Sequence, residues 1–97
     1  MFARLTTVTV QKDRIDEAIK VFADNIVPAA KSQKGYQMIY LLINRETGKG
    51  ISMSVWDSEE DAAANEKTGY YQEQVGKVAP FFTSAPVLDG YEVSAQG

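Results

Sequence analysis

The chain has 97 residues, 44% of them hydrophobic and 24% charged, which is typical of one globular domain spanning residues 1–97 and excludes a disordered or collagen-like chain. Its net charge of −3 and its dispersed Lys and Arg residues argue against binding to nucleic acid. With no Cys and no His, it lacks disulfides, thiolate nucleophiles, Ser-His-Asp triads, His or Cys zinc sites and the usual axial ligand of haem.

The first elements are a strand and an amphipathic helix. Residues 2–10 are rich in β-branched types and predict a strand. Asp13 is expected to cap a helix whose apolar stripe comprises Ile15, Ala18, Ile19, Phe22 and Ile26. Pro28 predicts a kink near 24–27, and Gly35 is expected to end the element.

A hairpin follows. Residues 36–44 and 51–56 predict two strands, and Gly48 and Gly50 are expected to supply the positive φ values of the loop between them.

A second helix and a last strand complete the chain. Asp57 or Ser58 is expected to cap this helix, Gly69 to break or bend it, and Pro80 to stop it. A final strand is predicted over residues 87–94.

The order βαββαβ predicts an α+β, ferredoxin-like fold, in which two helices cover one face of a four-stranded antiparallel sheet. The second strand is apolar on both faces, since Met38, Tyr40 and Leu42 alternate with Ile39 and Leu41. The helices cover only one face, so we expect a homodimer packed sheet to sheet.

The helix start that follows the third strand carries a run of carboxylates, Asp57, Glu59, Glu60 and Asp61. Several carboxylates together can hold a hard cation. Acidic residues in a first helical turn also complement the helix dipole, which is the interpretation we favour.

Several motifs, taken in order, resemble the antibiotic biosynthesis monooxygenase family of dimeric α+β barrels over nearly the full length. They are Pro28 near a helix end, the Lys34-Gly35-Tyr36 turn, the hairpin loop from Glu46 to Gly50, and the run Val55-Trp56-Asp57-Ser58-Glu59-Glu60. The resemblance implies a cofactor-independent oxygenase or a haem-degrading enzyme, and the lack of His argues against the second.

The resemblance also implies site residues. Trp56 matches the Trp that ends the third strand, Asn65 stands where His is usual, and Tyr70 lies five residues further on. These three are the predicted catalytic residues. Each also has a purely structural interpretation: Trp56 as a core residue, Asn65 as an exposed helix residue, and Tyr70 as an aromatic lid over the core. Where the family carries Asn on its first strand, this chain has Thr6, Thr7 or Thr9 at the likely positions, and Thr7 is taken as the substrate-binding candidate.

Three further residues are substrate-binding candidates. Tyr40 and Asn44 share one face of the second strand, although cross-strand packing explains Tyr40 equally well. Arg4 interrupts an apolar strand; pointing inward it would attract an anionic or phenolate ligand, and at an edge it would be solvated.

Two functions follow as hypotheses. The first is a monooxygenase that needs no cofactor or metal and acts on a polycyclic phenolic or anthrone-like molecule. The second is a dimeric barrel that binds a small aromatic or apolar ligand without turnover. The absence of a signal peptide pattern or a long apolar run predicts a cytoplasmic protein without membrane attachment.

Overall fold

A computed structural model describes all residues from Met1 to Gly97. In chain order the strands and α-helices are β1 (Phe2–Thr9), α1 (Ile15–Val21), α2 (Val27–Lys31), β2 (Tyr36–Ile43), β3 (Lys49–Trp56), α3 (Glu59–Lys67), α4 (Tyr70–Val78) and β4 (Val87–Glu92). Two 3-10 turns, Lys12–Arg14 and Ala79–Phe81, and a π-helical segment, Phe22–Ile26, complete the list.

The four strands form one sheet in the order β2-β3-β1-β4, and every neighbouring pair is antiparallel. Phe2 at the start of β1 pairs with Trp56 on one side and Glu92 on the other, so the first strand lies inside the sheet. This topology confirms the predicted ferredoxin-like fold.

The region between β1 and β2 differs from prediction in its local geometry. Asp13 lies inside a 3-10 turn and makes no capping hydrogen bond, because α1 begins only at Ile15. The kink expected near Pro28 takes the form of the π-helical segment, which ends immediately before α2. Pro28 sits in the first turn of α2, where its missing N–H is tolerated.

The boundaries of α3 and α4 follow the predicted signals. The Ser58 hydroxyl, rather than Asp57, caps α3 by accepting a hydrogen bond from the Asp61 amide at 3.1 Å. Gly69 has a φ of 81° and separates α3 from α4. Pro80 lies two residues after Val78, the last residue of α4, inside a 3-10 turn.

The hairpin between β2 and β3 uses only one of the two glycines predicted to have positive φ. Gly48 has a φ of 79°, whereas Gly50 is buried inside β3 and pairs with both Val8 and Ile43. The strand thus begins two residues earlier than the sequence indicated.

The two faces of the sheet have different environments. The helices cover the face that carries Val8, Val10, Ile39 and Trp56, and buried side chains of the helices pack there. The opposite face, which we call the open face, carries half-exposed apolar residues: Tyr40, Leu42, Val87 and Tyr91. No helix of the protein is both long and apolar enough to cross a membrane.

Candidate functional site

A cavity of about 100 Å³ lies between the helix-covered face of the sheet and the helices. Sixteen of its 23 lining residues are hydrophobic, so its walls favour an apolar or aromatic ligand. Side chains of β1, β2 and β3 form one wall, and those of the helices form the other. The remaining seven lining residues are Arg4, Thr6, Ser52, Ser54, Asn65, Glu66 and Gln74, and the hydrophobic residues Trp56, Tyr70 and Tyr71 add N–H or O–H groups to the lining.

Trp56 lines this cavity and is only 3% exposed. Its indole Nε1–H donates to the hydroxyl of Ser54 at 3.0 Å, and its ring meets that of Tyr36 edge to face with 6.3 Å between the centroids. Ser54 lies two residues earlier on the same strand and hence on the same face. These contacts fix the orientation of the indole, so Trp56 presents a rigid aromatic wall.

Asn65 and Tyr70 reach the cavity from the helices. Asn65, on α3, is buried although its neighbours Ala64 and Glu66 are more exposed, because it occupies the inward position of the helix. Tyr70 is the first residue of α4, directly after the αL turn at Gly69. The structure therefore brings the three predicted catalytic residues to one cavity.

The Tyr70 hydroxyl is buried and has no hydrogen-bond partner. Burial, which disfavours the phenolate, raises the pKa of Tyr70 to about 12, and the negative charge of Glu73 adds to this effect. Tyr70 is therefore a neutral phenol at physiological pH, able to donate its proton to a ligand oxygen.

The strand-one threonine that reaches the cavity is Thr6, not the predicted Thr7. Thr6 is buried, and its hydroxyl lies 3.1 Å from the Tyr71 hydroxyl in a hydrogen bond. Because successive side chains on a strand point to opposite faces, Thr7 belongs to the open face. Because the first strand has no Asn, the sequence does not indicate which of its threonines faces the cavity.

Arg4 points inward, which settles the two alternatives that the sequence left open. Its side chain is 15% exposed, and its Nη1 forms an ion pair and hydrogen bond with Oε1 of Glu66 on α3. Its Nε is buried and has no hydrogen-bond partner, and the guanidinium carbon lies 5.9 Å from the centroid of the Phe2 ring.

Glu66 is a site residue that the sequence analysis missed. An inward Arg on an apolar strand requires a counter-charge, but the sequence does not show which carboxylate supplies it. A carboxylate on a helix is nonetheless exposed in most proteins, so its sequence context alone did not single it out.

Two other predicted binding residues lie outside the cavity. Tyr40 is on the open face and 52% exposed, since Ile39 and Leu41 take the inward positions of β2. Asn44 lies beyond the end of β2, and its side-chain oxygen accepts hydrogen bonds from the backbone amides of Glu46 and Thr47. Asn44 therefore shapes the hairpin turn.

The carboxylates near the start of α3 form its first turn, behind the Ser58 cap. Asp57 accepts a hydrogen bond from the side chain of Gln37. No three His, Cys, Asp or Glu side chains of the protein are grouped so that they could hold a metal ion.

Comparison with known proteins points to one family. The family model described as antibiotic biosynthesis monooxygenase matches residues 1–77. Among curated proteins, the chain is 29% identical to the uncharacterized protein Rv2557 of Mycobacterium tuberculosis strain H37Rv over 98% of its own length. The match covers 42% of that relative, so the chain spans about two-fifths of its length.

Solved structures share the fold at low identity. The heme-degrader MhuD of Mycobacterium tuberculosis, with two hemes bound in its active site, superposes with a TM-score of 0.82 and 18% identity, covering 100% of this chain and 99% of that one. A crystal structure of an antibiotic biosynthesis monooxygenase gives a TM-score of 0.77 at 9% identity, covering 98% and 100%.

Proposed function

Because the chain belongs to the antibiotic biosynthesis monooxygenase family, we propose that it is a cofactor-independent monooxygenase acting on a polycyclic phenolic or anthrone-like molecule. The observation that supports this best is the convergence of Trp56, Asn65 and Tyr70 on one apolar cavity. An aromatic wall and two neutral polar groups in such a cavity suit a planar ligand that carries oxygen atoms.

The chemistry needs little from the protein. A deprotonated anthrone or phenol is electron-rich enough to reduce O₂ directly, so the protein has to bind the substrate, orient it and stabilise its anion. In the net reaction with an anthrone, the ring CH₂ loses two hydrogens and gains one oxygen atom of O₂. The second oxygen atom leaves as water, and the product is a quinone.

Each of the three residues has a role in this scheme. Trp56 holds the ring plane, because its own orientation is fixed by Ser54 and Tyr36. The Asn65 amide and the Tyr70 hydroxyl donate hydrogen bonds to the oxygen on which negative charge develops. With its pKa raised to about 12, Tyr70 keeps its proton under physiological conditions and remains a donor throughout.

The haem that MhuD binds does not fit the residues of this cavity. The cavity lining contains no His, Cys or Met, the Tyr71 hydroxyl is already bonded to Thr6, and Tyr70, with its pKa raised to about 12, resists forming the phenolate that would ligate iron. Its volume of about 100 Å³ is also well below the roughly 300 Å³ at which sites for drug-sized ligands begin. A three-ring substrate therefore requires lining side chains to move aside.

Oxygen uptake tests the proposal. Purified protein is incubated aerobically with a panel of hydroxylated anthrones and hydroquinones, and O₂ consumption and quinone formation are recorded. We expect uptake above buffer, and a loss of about 10-fold or more in Asn65→Ala, since single oxyanion donors contribute at least this much. Asn25→Ala is the control, because Asn25 is exposed and lies outside the cavity. No uptake above buffer across the panel would contradict the proposal.

A second candidate function is ligand binding without turnover. It is favoured by the partners that several polar groups already have: Trp56 donates to Ser54, Thr6 is bonded to Tyr71, and Arg4 is paired with Glu66. Quenching of the single tryptophan, Trp56, reports ligand binding. A ligand recovered chemically unchanged after aerobic incubation supports binding alone, and an oxidised product supports the enzyme.

The proposed functional unit is a homodimer in which a second copy covers the open face. Four large apolar side chains on that face are about half exposed: Tyr40 at 52%, Leu42 at 48%, Val87 at 57% and Tyr91 at 54%. These four side chains lie on the two edge strands, β2 and β4, of one sheet face, and large apolar side chains left exposed on one face are usually covered by a partner. A two-fold dimer places the same face of both copies together and leaves both cavities on the outer sides of the paired sheets.

A further inference from the structure

The charged residues of the cavity are limited to one pair. Among the residues that line it, Arg4 carries the only positive charge and Glu66 the only negative charge. The other lining residues are apolar or neutral, so any charge on a ligand has to be compensated by these two side chains.

The pair is asymmetric in its exposure. The Arg4 side chain is 15% exposed and rises from a central strand, whereas the Glu66 side chain is 35% exposed and lies on a helix surface. Glu66 can therefore turn into water once another anion pairs with Arg4. Arg4 cannot, because its guanidinium is enclosed between the sheet and the helices and rests near the Phe2 ring.

Arg4 also has unused hydrogen-bonding capacity. A guanidinium carries five N–H donors in a fixed planar fork, and the Nε donor of Arg4 is buried without a partner. An unsatisfied donor beside an apolar cavity is costly for folding, and a ligand oxygen that reached it would remove that cost.

We propose that Arg4 is the anion-recognition group of this cavity and that Glu66 is its displaceable counterion. A planar aromatic ligand carrying an ionised oxygen, a phenolate or a carboxylate, takes the place of the Glu66 carboxylate on Arg4. Glu66 then turns outward into water. The inference assigns a substrate class to the same cavity as the proposed function and rests on that cavity being the binding site.

This exchange explains how a buried cation persists without a ligand. With the cavity empty, Glu66 neutralises Arg4; with a ligand bound, the ligand anion does so, and the enclosed charge stays balanced in both states. Glu66 thus competes with every anionic ligand and lowers its apparent affinity, whereas a neutral ligand of the same shape does not meet this competition.

A matched pair of ligands tests the inference. Benzoate and benzamide have nearly the same planar shape and differ in charge, and their binding is followed by Trp56 fluorescence and by calorimetry. In Glu66→Gln the competing charge is absent, so the association constant of benzoate should rise about 10-fold or more, as expected for the loss of a like charge within a few Å. The association constant of benzamide should change less than about 2-fold.

Control variants separate this effect from a general change in charge. Glu60→Gln removes one negative charge from an exposed position of the same helix, and should leave the benzoate constant unchanged. Arg4→Gln combined with Glu66→Gln should abolish the benzoate gain, because that gain depends on the Arg4 cation. Arg4→Lys retains the cation without the planar fork, and serves if circular dichroism shows that Arg4→Gln does not fold.

Three results would overturn the inference: benzoate and benzamide gaining equally in Glu66→Gln, Glu60→Gln producing the same gain, or no benzoate binding in any variant at millimolar concentration. None of these measurements involves oxygen. A protein that shows the benzoate effect and consumes no O₂ refutes the proposed monooxygenase alone, and one that consumes O₂ without the benzoate effect refutes the role of Glu66 alone.

Discussion

Tyr70 and Tyr71 are adjacent on α4, and removing the hydroxyl from each should change stability in opposite directions. The Tyr70 hydroxyl is buried without a partner, whereas the Tyr71 hydroxyl is bonded to Thr6 at 3.1 Å. A buried polar group left unsatisfied costs about 1–3 kcal/mol. Tyr70→Phe removes such a group and should raise the free energy of unfolding by about 1 kcal/mol. Tyr71→Phe leaves the buried Thr6 hydroxyl unpaired and should lower it by about 1–2 kcal/mol.

Urea unfolding followed by circular dichroism, at one protein concentration for all variants, gives both values.

The wild type should also lose stability as the pH rises from about 10 towards 12. Its Tyr70 has an ordinary pKa near 10 when unfolded and a pKa of about 12 when folded, so the folded state holds the proton more tightly. That contribution is complete below pH 10, is lost as the pH approaches 12, and is absent from Tyr70→Phe. The stability advantage of Tyr70→Phe should therefore widen in this range.

The same variant should consume less O₂ than the wild type, because its donor to the substrate oxygen is gone. Higher stability with lower activity is the pattern expected when a strained or unsatisfied group is retained for function. If Tyr70→Phe is destabilised as much as Tyr71→Phe, the Tyr70 hydroxyl has a partner in solution. Tyr70 would then not be a free donor to a ligand.

Three further predictions concern the fold and its assembly. Gly35 and Gly69 share a φ of 81°, but a Cβ at Gly35 would lie 2.7 Å from the Asp61 Cβ, whereas a Cβ at Gly69 meets nothing within 4 Å. Gly35→Ala should therefore lower the free energy of unfolding, measured in urea, by at least about 1 kcal/mol more than Gly69→Ala does. Equal losses in the two variants would contradict the close approach at Gly35. Ser58→Ala removes the α3 cap and should cost about 1 kcal/mol, and an unchanged unfolding midpoint would show that the cap is replaceable. Sedimentation equilibrium should give twice the 10.7 kDa chain mass for the wild type and a shift to monomer for Leu42→Lys. The melting temperature of the wild type should rise with protein concentration. A folded wild-type monomer at micromolar concentration would refute the dimer.

The order of strands and helices was predictable because local signals agree with the global fold. Ser58, Gly69 and Pro80 each act within a few residues of their own position, and the structure uses all three as the sequence indicated. The π-helical segment was not predictable in form. It depends on how Phe22 and Ile26 pack into the cavity as well as on the nearby Pro28.

On the helices, the family resemblance pointed to Asn65 and Tyr70, whereas on the strands the site was predictable only where one face differs clearly from the other. On β3, Ser52, Ser54 and Trp56 alternate with apolar residues, and all three line the cavity. On β2 both faces are apolar, so alternation could not decide that Tyr40 faces away from the helices. The Arg4–Glu66 pair joins residues 62 positions apart, and no local pattern reports such a contact.

The position of β1 inside the sheet has a consequence for how the chain reaches its native state. Both neighbours of β1 come from later parts of the chain, so every ladder hydrogen bond that it makes closes a long loop. Such non-local pairing slows folding. During synthesis β1 emerges from the ribosome well before β3 and β4, and its apolar residues stay unpaired until those strands are made. The apolar side chains of β1 are therefore most exposed to aggregation in the interval between the synthesis of β1 and that of β4.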